Sequence, residues 1–412
     1  MPVAPATVKI LRMLQTRPTE PFKASGVIPD PVKINHDLAT PEHGPRALFF
    51  SGGSAFNGLS QKITAYTHNS IHLVTPFDSG GSSAALRQAF DMPGVGDLRQ
   101  RLLALANQSA PSQREVCQLL QHRLSSASAN ESLFRELNDI ISGQHELSRA
   151  IPSEVQQEIT EQLLSLAKQL PDNFNLSRAS VGNLVLAGGY LASANNLSAS
   201  LQRFSELVNI RGTVRAIVDV PLHLGVHLDN GQTFIGQHLL TGKEYPDIAS
   251  PVSSIFLSRS VDEHDPVTAS LNRENSQLIA GADIICFAPG SFYSSLIANL
   301  LPTGVADAVA RAACHKVFIP NLGSDPEQLG MDFSATIQAL MKQLRPSNES
   351  RPVSNFLNYV VIDTDRSRYP YEINPDLLTS LGVELLELPL VTPQSAPYYD
   401  DDRLAQVLLS LA

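Results

Sequence analysis

The chain has 412 residues, of which 43% are hydrophobic and 17% charged, and its formal net charge is −10. This length accommodates one large α/β domain or two smaller ones. The negative charge argues against nucleic acid or an anionic membrane surface as a partner. No apolar run is long enough to span a bilayer and the three cysteines lack zinc-site spacing, so we expect a soluble protein of the reducing cytoplasm.

The first 45 residues are dotted with proline and weakly periodic, which predicts an extended N-terminal arm with one short helix near Val8–Gln15. From 46 to 412, strand and helix patterns alternate, which indicates one α/β domain. Residues 108–170 interrupt that alternation, because apolar residues recur there at helical spacing. We expect a helical insertion with helices at 113–125, 131–142 and 152–169.

The first turn that suggests chemistry follows the apolar run 47–50. Gly52 and Gly53 close this run, and Ser54 begins a helix-like pattern. A short apolar run closed by glycines is typical of a buried parallel strand. Bare backbone N–H groups beside a helix N-terminus can seat a phosphate. The spacing matches neither GxGxxG nor the Walker A motif, so a purely structural turn is the alternative.

A second turn of the same kind follows the apolar run 71–77. It begins at Asp78 and continues through Gly80, Gly81, Ser82 and Ser83 into the next helix. A carboxylate at the end of a buried strand can hold Mg²⁺ or accept a proton from a hydroxyl. A helix cap is the alternative role for Asp78.

Two helix starts carry further candidate residues. Asp97 is placed to cap a helix that runs through Ala106, and Arg99 and Arg101 follow in its first turns. Positive charge there opposes the helix dipole, which favours a bound anion, with solvated surface arginines as the alternative. Asn183 opens a later helix and is a candidate either to bond a base or phosphate or to cap that helix.

The third turn follows the apolar run 283–288. Pro289, Gly290 and Ser291 lead into a helical segment that reaches Leu301, and their hydroxyl and N–H groups are candidates to bind an anion. Further strands are expected at 316–321, 356–363 and 383–388, and a terminal helix at 404–411. Since parallel strands end at one edge of a sheet, the three turns should meet at the carboxyl edge, where open α/β sheets bind ligands.

Between the second and third turns, residues 222–236 predict a β-hairpin built on Asn230-Gly231. Its partly polar alternation indicates an edge or flap. We expect it to lie away from the phosphates and to serve as a flap or as the contact of a homo-oligomer.

In order and in sequence, these motifs resemble the CofD/YvcK family over about residues 47 to 330. The resemblance implies a Rossmann-like three-layer α/β fold with a mainly parallel sheet. The segments that carry it are Gly52-Gly53, Asp78 with Gly80-Gly81-Ser82-Ser83, Gly96-Asp97-Leu98-Arg99, Ser180-Val181-Gly182-Asn183, Asn209-Ile210-Arg211-Gly212 and Ala288-Pro289-Gly290-Ser291.

The two branches of that family imply different activities. The CofD branch implies Mg²⁺-assisted transfer of a phospholactyl or phosphoenolpyruvyl group from a guanosine diphosphate-linked donor to a deazaflavin. The YvcK branch implies a cytoplasmic nucleotide-sugar binder that regulates carbon and cell-wall metabolism. This chain departs from the family pattern at Ser79, where a second acidic residue usually follows Asp78, and in the loop 322–326.

We therefore expect the chain to bind a GDP- or UDP-linked nucleotide diphosphate conjugate. In a transferase, the glycine turns seat phosphates, Asp78 holds Mg²⁺ or the acceptor, and Arg99 offsets developing charge. The alternatives are a non-catalytic nucleotide-sugar sensor, favoured by the missing second carboxylate, and a scaffold with an inactive pocket. The residues expected to contact the ligand are Gly52, Gly53, Ser54, Gly80, Gly81, Ser82, Ser83, Asp97, Asn183, Gly290 and Ser291.

Overall fold

The computed structural model describes residues 27–242, 245–346 and 349–412. In these ranges the strands are β1 (Ala47–Ser51), β2 (Ile71–Val74), β3 (Thr213–Ala216), β4 (His223–Leu228), β5 (Thr233–Ile235), β6 (Val252–Ser258), β7 (Ile284–Phe287), β8 (His315–Phe318), β9 (Tyr359–Asp363) and β10 (Glu384–Leu388). Seven of them form a parallel sheet in the order β10-β9-β8-β7-β1-β2-β3. The order reverses between β1 and β7, and such a reversal opens a crevice at the carboxyl edge of a doubly wound sheet.

The α-helices surround this sheet. They are α1 (Pro31–Ala39), α2 (Asn57–Ile63), α3 (Gly81–Phe90), α4 (Gly96–Ala104), α5 (Gln113–Gln121), α6 (Asn130–Ile141), α7 (Glu146–Arg149), α8 (Ser153–Ala167), α9 (Val181–Ala192), α10 (Leu197–Leu207), α11 (Arg273–Ala280), α12 (Ala298–Leu300), α13 (Val305–Arg311), α14 (Phe333–Leu344), α15 (Pro375–Leu381) and α16 (Asp401–Ser410). A π-helix, Phe292–Ile297, leads into α12. Within the described part of the chain, no helix is both long and apolar enough to cross a bilayer.

The pleat of the central strands separates the molecule into layers. In β1, Leu48 and Phe50 point into one apolar core, whereas Ala47 and Phe49 point into the core on the opposite face. Both faces of the strand are buried, as expected for a parallel sheet covered by helices on each side. The predicted Rossmann-like α/β fold is confirmed.

A second, antiparallel sheet contains the predicted hairpin. Its strand order is β5-β4-β6, and the turn between β4 and β5 has Gly231 at φ +85°, a conformation that favours glycine. The sequence pattern missed β6. After β5 the chain does not stay apart from the main sheet, because residues 236–241 return to its carboxyl edge.

The helical insertion shares a core with the main domain. The segments predicted at 113–125, 131–142 and 152–169 correspond to α5, α6 and α8, and the short α7 lies between them. Helix α8 packs closely on α9, where the backbone carbonyl of Gln162 would collide with any side chain at position 188. Leu163 of α8 and Leu184 of α9 are fully buried in this shared core.

The prediction of an extended arm is wrong where the structure describes that region. Asp30 caps helix α1 through its carboxylate, with Pro31 at the first helical position. Lys33 donates from Nζ to the carbonyl of Ala412 at 2.5 Å, so α1 is held against the C-terminal end of the chain. The short helix predicted near Val8–Gln15 lies outside the described residues.

Candidate functional site

A cleft opens at the carboxyl edge of the sheet, between the ends of β1 and β7. It is termed the β1–β7 cleft here, and residues from four separate segments line it. Six of the residues predicted from sequence meet in it: Gly52, Gly53, Ser54, Asp97, Gly290 and Ser291. Gln237 and Thr241, from the segment after β5, line it as well.

The glycine pair is required by close packing at the end of β1. The α-carbon of Gly52 faces the side chain of Ser295, and a Cβ at this position would collide with the Ser295 hydroxyl. A Cβ on Gly53 would lie 2.5 Å from Oδ1 of Asp97. Neither position accepts a side chain unless its neighbour moves. As glycines, both residues leave their backbone accessible to the cleft.

Arg101 supports this turn from beneath. Its guanidinium is fully buried and donates to the carbonyl oxygens of Gly52 at 2.9 Å, Gly53 at 3.2 Å and Phe56 at 2.8 Å. It also donates to the hydroxyl of Ser60 and lies 4.9 Å from the centre of the Phe56 ring. Three backbone carbonyls of one turn are thus fixed by a single side chain.

The orientation of these carbonyls determines where the N–H groups point. In a trans peptide the N–H is directed opposite to the preceding C=O. The N–H groups of Gly53 and Ser54 therefore point away from Arg101, and both residues line the cleft. Gly53 precedes the short 3-10 helix Ser54–Phe56 and has no side chain that could cap it. Backbone N–H groups at such a turn are donors of the kind that can bind a phosphate oxygen.

Arg101 also places positive charge under the turn. Burial lowers the pKa of Arg101 to about 9, and the nearby Asp97 opposes that shift. The guanidinium therefore stays charged at neutral pH. The sequence hypothesis that this arginine meets a bound anion directly is wrong, because its Nη atoms donate to protein oxygens.

The turn after β7 already holds two carboxylates of the protein itself. Asp325 Oδ2 accepts the N–H of Phe292 at 2.8 Å, and Glu327 Oε2 accepts the N–H groups of Tyr293 and Ser294, both at 2.8 Å. These are the N-terminal donors of the π-helix. These three N–H groups are therefore taken up by Asp325 and Glu327 and are not available to a phosphate, whereas the predicted phosphate contacts, Gly290 and Ser291, precede them in the chain.

Neighbouring contacts complete this turn after β7. The N–H of Gly290 donates to Oδ1 of Asn321 at 2.8 Å, and Nδ2 of Asn321 donates back to the carbonyl of Gly290. Glu327 is buried, and burial together with the charge of Asp325 raises its pKa to about 7. Gly290 and Ser291 line the cleft as predicted. The N–H groups that follow them, at the start of the π-helix, are bonded to the carboxylates of Asp325 and Glu327.

The second predicted turn forms a separate polar group beside the cleft, termed the Asp78 cluster, which comprises Asp78, Ser82, Ser83, Arg99, Ser180 and Asn183. Oδ1 of Asp78 accepts the N–H of Gly80 at 3.2 Å, and the Ser83 hydroxyl bonds the same carboxylate. Burial raises the pKa of Asp78, while these hydrogen bonds and the charges of Arg87 and Arg99 oppose the rise. Asp78 is not a helix cap, because the capping position of α3 is Gly80, which has no side chain; the Asp78 carboxylate instead forms a turn with Gly80 and bonds Ser83.

The other members of the Asp78 cluster bond to one another. Arg99 donates from Nη1 to the Ser180 hydroxyl at 2.7 Å, and burial lowers the pKa of Arg99 to about 10. Nδ2 of Asn183 donates to the hydroxyl of Ser82 at 3.0 Å. The surface-arginine alternative is wrong for Arg99, which is 5% exposed. None of these residues is among those that line the β1–β7 cleft.

Asp97 does not cap its helix. The capping position of α4 is Val95, and Asp97 is the second residue of the helix, where its negative charge complements the dipole. Its carboxylate instead approaches Gly53 across the cleft. The structure thus brings Asp97 to the predicted site through a different local role.

Ser79, where the family usually carries an acidic residue, joins the main sheet to the small one. Its hydroxyl lies 2.8 Å from Nδ1 of His238 and accepts the backbone N–H of His238 at 3.3 Å. His238 follows Gln237, which lines the cleft. The hairpin turn at 229–231 is exposed, and the segment after β5 reaches the cleft through Gln237 and Thr241.

The side chains at this edge do not form a Mg²⁺ site by themselves. Mg²⁺ requires near-octahedral oxygen ligands, and proteins usually supply one or two carboxylates while substrate phosphates supply more. Asp78 offers one carboxylate that already accepts hydrogen bonds, and the neighbouring Ser79 hydroxyl is bonded to His238. Among the described residues, no group of three acidic, histidine or cysteine side chains converges at either turn.

Sequence reasoning misjudged the role of Arg101 and missed two other contributors to the site. The positive charge of Arg101 near a helix start was evident in the sequence, but the backbone carbonyls to which it donates could not be predicted. Glu327 lies 34 residues from Tyr293 along the chain, and no local pattern announces that contact. Gln237 follows a hairpin whose path back to the sheet depends on tertiary packing.

Comparisons with known proteins agree with this architecture. Residues 48–391 match the family model described as 2-phospho-L-lactate transferase CofD. A putative gluconeogenesis factor of Thermoanaerobacterium thermosulfurigenes is 24% identical over 387 residues, covering 90% of this chain and 97% of that protein. The gluconeogenesis factor of Bacillus subtilis is 23% identical over 384 residues, covering 89% and 98%.

A solved structure shares the fold. The crystal structure of a UPF0052 family member from Bacillus halodurans superposes with a TM-score of 0.65 at 22% sequence identity, covering 89% of this chain and 99% of that one. At this level of identity the superposition supports the fold alone. The family-model match over residues 48–391 shows that the chain belongs to the CofD family.

Proposed function

We propose that this chain binds a nucleotide diphosphate conjugate in the β1–β7 cleft and acts as a ligand-dependent metabolic regulator. The observation that carries the proposal is the support of the first glycine turn by Arg101. It directs the N–H groups of Gly53 and Ser54 away from Arg101 and places a buried positive charge behind the turn, in a protein with a net charge of −10. A protein with that overall charge needs such a local arrangement to attract an anion.

Two features favour binding without group transfer. The Asp78 carboxylate accepts hydrogen bonds from its own turn, and Ser79 bonds His238 where a second acid would stand. A diphosphate seated on the first turn then meets no pair of carboxylates to hold a metal between them. The relatives named gluconeogenesis factors, which match nearly the whole chain, favour a regulatory role.

A transferase of the CofD type is the second candidate. The observation in its favour is that burial raises the pKa of Asp78, which makes this carboxylate a stronger base toward an acceptor hydroxyl. In that reaction the acceptor oxygen would bond to a phosphorus of the diphosphate and nucleoside monophosphate would leave. Mg²⁺ would have to arrive with the donor, because the described side chains supply only Asp78 at that turn.

Binding and turnover separate the two candidates. Calorimetric titration with GDP, UDP, a UDP-sugar and a GDP-linked acid conjugate, with and without Mg²⁺, measures affinity. Chromatography of the same mixtures, supplied with a deazaflavin acceptor, measures release of nucleoside monophosphate. The proposal predicts saturable binding of at least one conjugate and no monophosphate. Steady, enzyme-dependent release would establish the transferase, and failure of every conjugate to bind would refute both.

A further inference from the structure

Three potential metal ligands meet in the helical insertion, outside the β1–β7 cleft. His122 follows α5, Glu136 lies on α6, and His145 precedes α7. Nε2 of His122 is 2.7 Å from Oε1 of Glu136, and Nε2 of His145 is 3.9 Å from the same oxygen. The two imidazole rings are 5.3 Å apart, and one ligand atom from each residue lies within 4.8 Å of the others.

The donor types select a class of ion. Two imidazoles and one carboxylate suit Zn²⁺ and similar divalent transition metals, whereas Mg²⁺ and Ca²⁺ prefer oxygen ligands. Tetrahedral Zn²⁺ with bonds near 2.1 Å would place its ligand atoms about 3.4 Å apart. The separations of 2.7 and 3.9 Å bracket that value, so small side-chain rotations would complete the geometry.

The surroundings hold these ligands in place yet leave them accessible. The side chains of His122, Glu136 and His145 are 28%, 26% and 20% exposed. The carbonyl of His122 accepts the N–H of Val181 at 3.0 Å, and Leu137, next to Glu136, is buried in the shared core. Ligands from three packed elements need little ordering when an ion binds.

His145 has a second hydrogen bond that would respond to an ion. Its Nδ1 accepts the N–H of Leu147 at 3.3 Å and so caps α7, which places the ring proton on Nε2, toward Glu136. A metal bound at Nε2 needs the lone pair on that nitrogen, so the ring proton moves through solvent from Nε2 to Nδ1 with no net release, at the expense of the cap. The long hydrogen bond is a weak competitor for a metal bond.

From this geometry we propose that His122, Glu136 and His145 form a binding site for a Zn²⁺-type ion with an open fourth position. Three protein ligands leave that position to water or to a group from another molecule. The site is independent of the nucleotide proposal. Two residues after His122, the N–H of Leu124 donates to the carbonyl of Ala179. The next residue, Ser180, accepts a hydrogen bond from Arg99 through its hydroxyl.

The test uses ZnCl₂ and the full chain after removal of metals with a chelator. Competition with a chromogenic chelator measures affinity and stoichiometry, and thermal unfolding provides a second readout. We expect one equivalent of Zn²⁺ to bind, a rise in melting temperature, and no comparable effect of Mg²⁺. His145→Asn retains a capping oxygen in place of Nδ1 but lacks the second nitrogen, so it should fold and bind Zn²⁺ at least about tenfold more weakly.

Two further variants make the result decisive. Glu136→Gln should weaken Zn²⁺ binding about as much as His145→Asn, because it removes the charged ligand while preserving shape. His264→Ala, at an exposed histidine outside the insertion, should bind Zn²⁺ like the wild type. The proposal is overturned if the wild type binds well under one equivalent, or if His145→Asn and Glu136→Gln both retain wild-type affinity.

Discussion

Arg101 donates from one guanidinium nitrogen to the carbonyl oxygens of Gly52 and Gly53, at 2.9 and 3.2 Å. The contact joins α4 to the turn after β1 and fixes the direction of two peptide groups. In the proposed function, phosphate binding by this turn depends on a buried side chain whose guanidinium donates to protein oxygens. Arg101 is a positioning residue in this account.

Replacing Arg101 with lysine should weaken both the fold and ligand binding. A lysine ammonium cannot reach the three carbonyls and the Ser60 hydroxyl that the planar guanidinium satisfies. We expect a loss of unfolding free energy on the order of 3 kcal/mol, since buried polar partners are left without donors. Diphosphate affinity, measured by calorimetry on the folded variant, should fall at least about tenfold.

The matched control is Arg114→Lys, at an exposed position on α5. It should change neither stability nor affinity. If Arg101→Lys lost stability but kept full affinity, the guanidinium would be a packing element only and the turn would orient itself.

Asp78→Asn separates a structural role from metal chemistry. Asparagine retains an oxygen that can accept the N–H of Gly80, so we expect the melting temperature to stay close to that of the wild type. Because the regulatory proposal gives Asp78 no metal role, the affinity for the conjugate should respond to Mg²⁺ as in the wild type. Calorimetry across a Mg²⁺ series provides the measurement. Loss of a Mg²⁺-dependent gain in affinity would instead support the transferase.

The carboxylates at the π-helix give stability a pH dependence. The pKa of Glu327 is raised to about 7 in the folded chain, from an ordinary value of 4.5. The folded state therefore binds more protons than the unfolded state between these values. The contribution of this group is fully present below about pH 4.5 and is lost as the pH rises through about 7.

Glu327→Gln should remove most of that dependence. Glutamine keeps an oxygen to accept the N–H groups of Tyr293 and Ser294 but carries no charge. Between about pH 5 and about pH 8, the unfolding free energy should fall less in the variant than in the wild type, by a difference on the order of 2 kcal/mol. Chemical denaturation at both pH values tests this. Equal pH dependence in the two proteins would show that Glu327 ionises normally.

The sequence predicted the elements near the site better than their contacts. The runs that became β1, β2 and β7 were apolar and bounded by glycine or serine, so strand position followed from local chemistry. The partners of Gly52, Tyr293 and Ser79 could not be predicted, because Arg101, Glu327 and His238 reach them through tertiary packing. Asp30-Pro31, by contrast, is a local start signal for α1 that was readable and was overlooked.

Gly231→Val tests the role of the hairpin turn. Gly231 has φ +85° and open space around it, so valine should add backbone strain without a collision. Melting temperature, or molecular size if the hairpin joins copies of the chain, should change while diphosphate affinity does not. Selective loss of affinity with size and melting temperature intact would place the turn at the ligand.

The central claim is that a diphosphate binds the N–H groups of the first glycine turn. Gly53→Ala tests it most directly, because the added Cβ would lie 2.5 Å from Oδ1 of Asp97, so that the carboxylate or the turn must shift where the proposal places the phosphate. With Gly231→Val as the control for a destabilised but intact site, calorimetric titration of a folded Gly53→Ala variant should show an affinity for the conjugate at least about tenfold below that of the wild type. Unchanged affinity in a correctly folded Gly53→Ala variant would contradict the account.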